Sequence, residues 1–391
     1  MDKNSIIYVR TDFLPPSEEG GGPQLDCGGG RELKILKIRK CVGGENMALE
    51  KTVLDSSSIS DLMKQYYGID VSDIERLPLG SANCYRIWDG NKQYFLKELQ
   101  SKFSEEKIKA EAALVDFLAS KGIPVASFYK THTGDVVFTY EGHVICLEEF
   151  VEGQTYGYDD LPDALLPEVA QMLGKIHAAL KDYYLPSDMD KDWIESYSPE
   201  KLAIQYDDLL NTALQMKDDD NASRIVQDLE YKKELAYRCA GLKKYFEGIT
   251  YTASHGDYQG CQMIFDGDQV KAVIDFSSAR SLPVTWEIMR SFVQTSRKCN
   301  ITAIVDIDAF IEYVREYMKY APLTEKDMCA MPYIYLFQLA RSKFGYPQYL
   351  NTDSEDRKQL LKFASWRTDM CREIEFKAEE ISHKLILCNL K

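Results

Sequence analysis

Ser254-His255-Gly256-Asp257-Tyr258-Gln259-Gly260-Cys261-Gln262-Met263-Ile264-Phe265-Asp266-Gly267-Asp268-Gln269-Val270-Lys271-Ala272-Val273-Ile274-Asp275-Phe276 is the stretch whose pattern decides the fold. Two apolar runs, 261–265 and 270–276, flank the turn signal Asp266-Gly267-Asp268, so they are expected to pair as a hairpin. Folding about that turn sets Gln262 opposite residues near Val273, and Gln262 and Asp275 then end close together at one end of the ribbon. Asp257, five residues before Gln262, lies in the loop leading in. Two acids and an amide therefore converge. Such a set suits phosphoryl transfer: one Asp orients or deprotonates an attacking hydroxyl, while the other Asp and an amide oxygen hold Mg²⁺ against phosphates.

Upstream the pattern is that of a small antiparallel sheet. Residues 76–88 read as strand, turn and strand, Asp89-Gly90 as a two-residue hairpin turn, and residues 93–99 as the return strand. A second hairpin is expected over 136–150, turning at Glu141-Gly142. The small residues of Gly80-Ser81-Ala82-Asn83 let backbone N–H groups approach a phosphate. Lys97 stands inside a largely apolar strand, where an ammonium needs a partner. The following helix, opened by Ser104-Glu105-Glu106 and stopped at Gly122, offers one. Its Ile108, Ala112, Val115 and Leu118 recur at helical spacing, and Glu111 shares their face, so pairing of Lys97 with Glu111 is expected. A short helix is expected near residues 58–63, capped by Ser58 or Ser60.

After Val151-Glu152-Gly153 the pattern shifts to long helices, at 166–180, 200–211, 222–246 and from 306 onward. The expected organisation is an extension over 1–46, a first lobe over 47–152 and a helical lobe over 153–391. The extension carries eight of the 23 glycines and no sustained periodicity, a composition that buries little apolar area. It ends Gly43-Gly44-Glu45-Asn46-Met47, as an in-frame purine-rich ribosome-binding site before a bacterial start codon would translate, so Met47 is the expected start.

The run Ser254-His255-Gly256-Asp257-Tyr258-Gln259, with Ile274-Asp275-Phe276 eighteen residues after Asp257, resembles the aminoglycoside phosphotransferase and choline kinase superfamily. Lys97, Glu111, the 147–150 segment and Leu173-Gly174-Lys175-Ile176-His177 fall in the matching order, and the resemblance spans about residues 60 to 345. It implies an α+β, bilobal protein-kinase-like fold: a small antiparallel β-sheet N-lobe with one main helix, which binds nucleotide, and a larger, mostly helical C-lobe with the acceptor site. It also implies ATP and Mg²⁺, with Asp257 as catalytic base, Asp275 as the main metal ligand and His255 bracing the catalytic loop. Gly80, Ser81 and Lys97 would contact phosphates, Glu111 would hold Lys97, and the hinge backbone at Glu148 and Phe150 would receive adenine. Glu287 sits where the family often has Asp and is implied to support the loop. The departure is Gln262, where the family has Asn as second metal ligand. An active enzyme using Gln262, one relying chiefly on Asp275, and a weakened pseudokinase all remain open. Tyr320-Ala321-Pro322-Leu323-Thr324 before a helix is similar to the spore-coat-associated and homoserine-kinase-like branches.

The implied activity is transfer of the ATP γ-phosphate to a hydroxyl of a small molecule resembling an amino sugar, choline or homoserine. The competing expectation is a catalytically silent nucleotide-binding or structural protein. Bulk chemistry narrows the partners. With 62 acidic against 47 basic residues the net charge is −15, which repels nucleic acid and favours an amine-bearing acceptor. No apolar run reaches 18 residues, so no membrane span is expected. The ten cysteines are scattered without a C-x-x-C pair, as in a cytoplasmic protein with reduced thiols and no zinc site. His177 on its apolar helix reads as a core histidine, and Tyr333, Tyr335 and Phe337 as packing.

Overall fold

The computed structural model describes residues 50–77, 82–101, 103–185, 192–216, 219–352 and 356–389. The 1–46 extension, the start at Met47 and the Gly80 and Ser81 phosphate contacts lie outside these residues. The chain begins with α1 (Ser56–Tyr67) and continues through β1 (Asp73–Leu77), β2 (Asn83–Trp88), β3 (Gln93–Glu98), α2 (Glu105–Ser120), β4 (Val137–Tyr140) and β5 (His143–Glu149). The five strands form one antiparallel sheet in the order β1-β2-β3-β5-β4. Helices α3 (Leu166–Leu180), α4 (Asp192–Glu195), α5 (Pro199–Gln215) and α6 (Ala222–Ala240) follow. Next come β6 (Tyr251–Ser254), β7 (Met263–Asp266), β8 (Gln269–Val273) and β9 (Arg280–Pro283). The chain closes with α7 (Val284–Thr295), α8 (Arg297–Thr302), α9 (Ile307–Met318), α10 (Glu325–Arg341), α11 (Tyr346–Asn351) and α12 (Arg357–Asn389).

Side-chain alternation gives the five-stranded sheet two working faces. Tyr85, Ile87, Tyr94, Leu96, Ile145 and Leu147 pack with Ile59, Leu62 and Met63 of α1 in one cluster. Each such fully buried side chain contributes about 1.5–3 kcal/mol. Cys84, Phe95 and Cys146 point the other way, into the cluster that contains Ile108, Ala112 and Val115 of α2 and the helical lobe. Lys97 and Glu148 share the parity of Phe95 and Cys146, so both side chains belong to the face that looks toward the second lobe.

Local chemistry moved several boundaries. The cap of α1 is Asp55, whose side chain accepts from Ser58 N, while Ser58 closes the reciprocal bond of a capping box; Ser58 is the third helical residue, not the cap. Asp89 N donates to Lys92 O, which puts Gly90 and Asn91 at the tip, one residue past the expected Asp89-Gly90. Glu141 and Gly142 both have positive φ, 47° and 83°, the two-residue turn that suits strand twist. The expected helix over 222–246 ends at Ala240 and continues as a 3₁₀ turn over Gly241–Tyr245. Gly174 lets α3 approach α9, since a Cβ there would meet Tyr317 O at 2.4 Å.

Candidate active site

The hairpin of β7 and β8 forms as its sequence requires, with Met263 opposite Val273 and Asp266 opposite Gln269. Ile274 N donates to Gln262 O at 3.0 Å, which ties the residue before Asp275 to the candidate amide ligand. A second short ribbon, β6 paired with β9, holds the other end of the loop, with Ser254 opposite Arg280. The residues between β6 and β7 are thus clamped from both sides.

Gly256 makes the loop possible. Its φ is +82°, and a Cβ would lie 2.0 Å from Ser278 O. Gly256→Ala is expected to cost about 2–5 kcal/mol by combining backbone strain with overpacking. Urea midpoints of the two proteins measure this, and equal midpoints would disprove the steric account.

The buried carboxylate of Glu287 on α7 holds the loop backbone. It accepts from His255 N at 3.2 Å, from Gly256 N, and from His177 Nε2 at 2.8 Å. Burial pushes Glu287 up, but the His177 bond and charge, with the backbone donors, outweigh it and hold the carboxyl below its ordinary value. His177 Nδ1 bonds to Tyr317 O–H at 2.9 Å, so its ring is a satisfied core group. His255 Nε2 donates to Ile274 O at 3.0 Å, while Nδ1 accepts from Asp257 N at 3.2 Å. Burial pushes this imidazole below its ordinary pKa. A neutral His255 therefore links the two halves of the catalytic stretch.

Asp257 is 1% exposed, and donors surround its carboxylate. Arg290 Nη2 of α7 makes a buried ion pair with Oδ1. Gln262 Nε2 donates to Oδ2 at 3.1 Å and Gln259 Nε2 to Oδ1 at 3.3 Å. Burial raises Asp257 to about 7; Arg290 pulls against that rise and Asp275 adds to it. Arg290 is the important residue that the sequence reading missed. Its signal was a second charged residue, three places after Glu287, in the largely apolar run 286–293.

Asp275 has a left-handed backbone, φ 60° and ψ 70°, uncommon for a non-glycine residue and typical of strained functional positions. Its Oδ1 accepts from Ser277 Oγ at 2.6 Å. Gln262 Oε1 is buried and has no hydrogen-bond partner among the described residues. The donated bond to Asp257 fixes which end of the amide remains, and that end is a hard oxygen of the kind Mg²⁺ and Ca²⁺ take. No group of three or more His, Cys, Asp or Glu that could hold a metal occurs among the described residues. An ion at Asp275 and Gln262 would complete its shell with phosphate and water oxygens.

Lys97 differs from expectation. It makes an ion pair with Glu148, Nζ to Oε1 at 2.7 Å, a partner that the expectation did not include. The register explains this: Lys97 faces Cys146 across the β3–β5 ladder, and Glu148 is the next residue of the same parity. Burial works against the Lys97 ammonium, but Glu148, Asp275 and Glu111 outweigh it and keep it charged. Glu111 is thus within electrostatic reach of Lys97, and so is Asp275, which connects the sheet to the catalytic stretch. Glu148 is flanked by Phe95 on β3 and by Phe128 on its other side, so its backbone sits within a ladder and its side chain faces the cleft. Phe150 lies just past the last β3–β5 pair, buried under the Arg86 guanidinium 4.3 Å from its ring centroid.

Comparisons with known proteins agree with this architecture. A homoserine kinase of Zymomonas mobilis subsp. mobilis is 26% identical over 208 residues, 52% of this chain and 58% of the relative, so the chain matches little more than half of that protein's length. A spectinomycin phosphotransferase solved with ADP and spectinomycin superposes with a TM-score of 0.61 at 16% identity, covering 84% of this chain and 99% of the other. Amicoumacin kinase, solved with AMP-PNP, Ca²⁺ and its antibiotic, gives 0.56 at 14% identity, with 82% and 95% covered. These similarities show the bilobal protein-kinase-like fold. The sequence model of the phosphotransferase enzyme family (APH) matches residues 73–317, a span running from β1 to α9 that includes Lys97, Asp257, Gln262 and Asp275, and the chain belongs to that family.

Proposed function

We propose that this protein transfers the γ-phosphate of ATP to a hydroxyl group of a small molecule. The observation that carries the reading is Asp257, a buried carboxylate tuned to about 7 and held by Arg290, Gln259 and Gln262 beside Asp275. A base near neutral pH can take a hydroxyl proton while remaining largely deprotonated at working pH. In the step, the acceptor oxygen bonds to the γ-phosphorus, the bond from the β–γ bridging oxygen to that phosphorus breaks, and the hydroxyl proton passes to Asp257. ADP leaves. Lys97, fixed by Glu148, would meet the α/β-phosphates, and the lobe over 47–152 would bind the nucleotide against the acceptor-binding lobe over 153–391. Mg²⁺, held by Asp275 and Gln262, would neutralise charge on the phosphates. The donor set fits: one strained carboxylate and one buried amide oxygen with its lone pairs available. Solved neighbours carry ADP, or AMP-PNP with Ca²⁺, which supports nucleotide and divalent-metal use in this fold.

No described helix is long and apolar enough to cross a membrane, and seven cysteines from Cys84 to Cys371 are free thiols. We place the protein in a reducing compartment, the cytoplasm, on the chemistry of those thiols. Thermal-shift titration tests the nucleotide half of the proposal. ATP with Mg²⁺ at about 100 times its Kd would stabilise the fold by about 2.7 kcal/mol. A flat titration with metal present would sink it. Stabilisation without phosphorylation of any hydroxyl compound would favour instead a silent nucleotide-binding protein, the reading that Gln262 in place of Asn keeps alive.

A further inference from the structure

Asp275 stands at the head of a turn and does not cap it. The turn is the 3₁₀ segment Phe276–Ser278, closed by Ala279 N donating to Phe276 O at 2.9 Å. An Asp in front of a helical turn ordinarily folds its side chain back onto the free N–H groups of that turn. Asp275 makes no such bond, and its backbone is left-handed. Its Oδ1 accepts instead from Ser277 Oγ at 2.6 Å, the short, strong kind of bond that a hydroxyl makes to a carboxylate. Ser277 is set between two anchors. Phe276 is buried with its ring centroid 4.5 Å from that of His255, and Ser278 O packs so closely on Gly256 that no Cβ fits there. Ser277 and Asp275 themselves are both partly exposed, so the bonded pair opens outward from a fixed base.

We propose that Ser277 is a positioning residue that makes Asp275 a one-oxygen ligand and thereby selects Mg²⁺ over Ca²⁺. The inference rests on the phosphotransferase reading, in which Asp275 and Gln262 hold the divalent ion. A carboxylate can give an ion one oxygen or both. Ca²⁺ accepts either mode, with long bonds and an adaptable shell. Mg²⁺ requires short bonds in a near-regular octahedron, which the two close oxygens of one carboxylate fit poorly. With Oδ1 tied to the Ser277 hydroxyl, chelation through both oxygens would break a short bond, so the single-oxygen mode is favoured. The other donor agrees. Gln262 Nε2 is fixed on Asp257 at 3.1 Å, and its Oε1 is buried without a hydrogen-bond partner among the described residues, so the amide too offers one oxygen. Ile274 N on Gln262 O at 3.0 Å keeps the two branches of the hairpin together at this point. Two single oxygens leave the rest of a shell to phosphate and water, the manner in which Mg²⁺, slow to give up its waters, is usually bound. A bond from an outer group to a metal ligand is worth about 10–100-fold in metal affinity.

Thermal-shift titrations of the full chain with AMP-PNP, in Mg²⁺ and separately in Ca²⁺, read this without turnover. Ser277→Ala and Ser277→Val should each raise the Mg²⁺ concentration for half-maximal stabilisation about tenfold or more. The Ca²⁺ concentration should rise by about threefold at most, because that ion can take the second oxygen once it is released. Ser277→Thr keeps the hydroxyl at nearly the volume of Val and should stay close to the wild type. In turnover with ATP, the loss in Ser277→Ala should appear as a raised KM for Mg²⁺ more than as a lowered kcat. Urea midpoints report whether each variant folds, and the Thr and Val proteins compare two side chains of like shape. Equal losses for the two ions, no loss for either, or Thr behaving like Val overturns the proposal and leaves Ser277 a hydroxyl that only closes its turn. The wild-type titration separates the two claims. Stabilisation by AMP-PNP with metal, but unaltered ion preference in the variants, keeps the phosphotransferase reading and discards the role of Ser277. No stabilisation of the wild type with either ion discards both.

Discussion

Asp257→Asn is expected to lower turnover by about 10²–10⁴-fold, the usual worth of a positioned general base. Nucleotide affinity should remain near the wild-type value, because the proposed base would meet the acceptor hydroxyl while Lys97 and Asp275 are untouched. The substitution is conservative for the fold. Asn keeps one carbonyl oxygen for the Arg290 guanidinium and loses only the charge and proton affinity. Its NH₂ would, however, face donors from Gln259 or Gln262, so part of the local order is lost along with the base. Steady-state kcat, with nucleotide Kd from calorimetry, tests both halves. Retention of more than a tenth of the activity would remove Asp257 from the base role. A Kd for ATP weakened in parallel with kcat would recast it as a nucleotide-binding group.

What the sequence disclosed follows the range of the interactions involved. The β7–β8 ribbon was legible because Asp266-Gly267-Asp268 is a local signal and the runs beside it are short and apolar. The same holds for α3, where the apolar spacing over 166–180 matches the observed Leu166–Leu180. The resemblance implied the order of Lys97, Asp257 and Asp275, and the family match over 73–317 spans all three. Pairing across strands was not legible. The helix periodicity correctly turned Glu111 inward, yet the partner of Lys97 is set by the β3–β5 register, which no single segment encodes. Nor was the β6–β9 ribbon seen: each strand is four residues long, and 25 residues separate them in sequence. Arg290 was hidden differently. It lies in a helix buried on every side, where amphipathic spacing gives no direction and a buried guanidinium reveals its purpose only when the opposing carboxylate is placed.

Removing Arg290 carries the second large effect, and its sign depends on pH. Asp257 has a folded-state pKa of about 7 against an ordinary value of 3.8, so the native state favours the protonated acid. A carboxyl raised in this way contributes stability below its unfolded pKa, and the contribution is lost as pH rises toward 7. Arg290 opposes that rise, since its charge stabilises the carboxylate. Arg290→Met leaves a buried carboxylate without its main counter-charge, and breaking a buried pair from one side costs about 3–5 kcal/mol. The cost should therefore be largest above pH 8, where Asp257 must ionise, and should shrink toward pH 6 as it protonates. The same change moves catalysis. The acid limb of the kcat profile, expected near 7 in the wild type, should shift upward by about one unit or more, because each tenfold weakening of the carboxylate form is about 1.4 kcal/mol. Arg290→Lys keeps a positive charge but loses the planar fork, so it should recover part of the shift and less of the stability. Urea unfolding at pH 6 and pH 8.5, together with kcat across the same range, measures both. A deficit equal at the two pH values would show that Arg290 acts only by packing against Trp286. An acid limb that stays where it was would mean that the titrating group of the reaction is not Asp257.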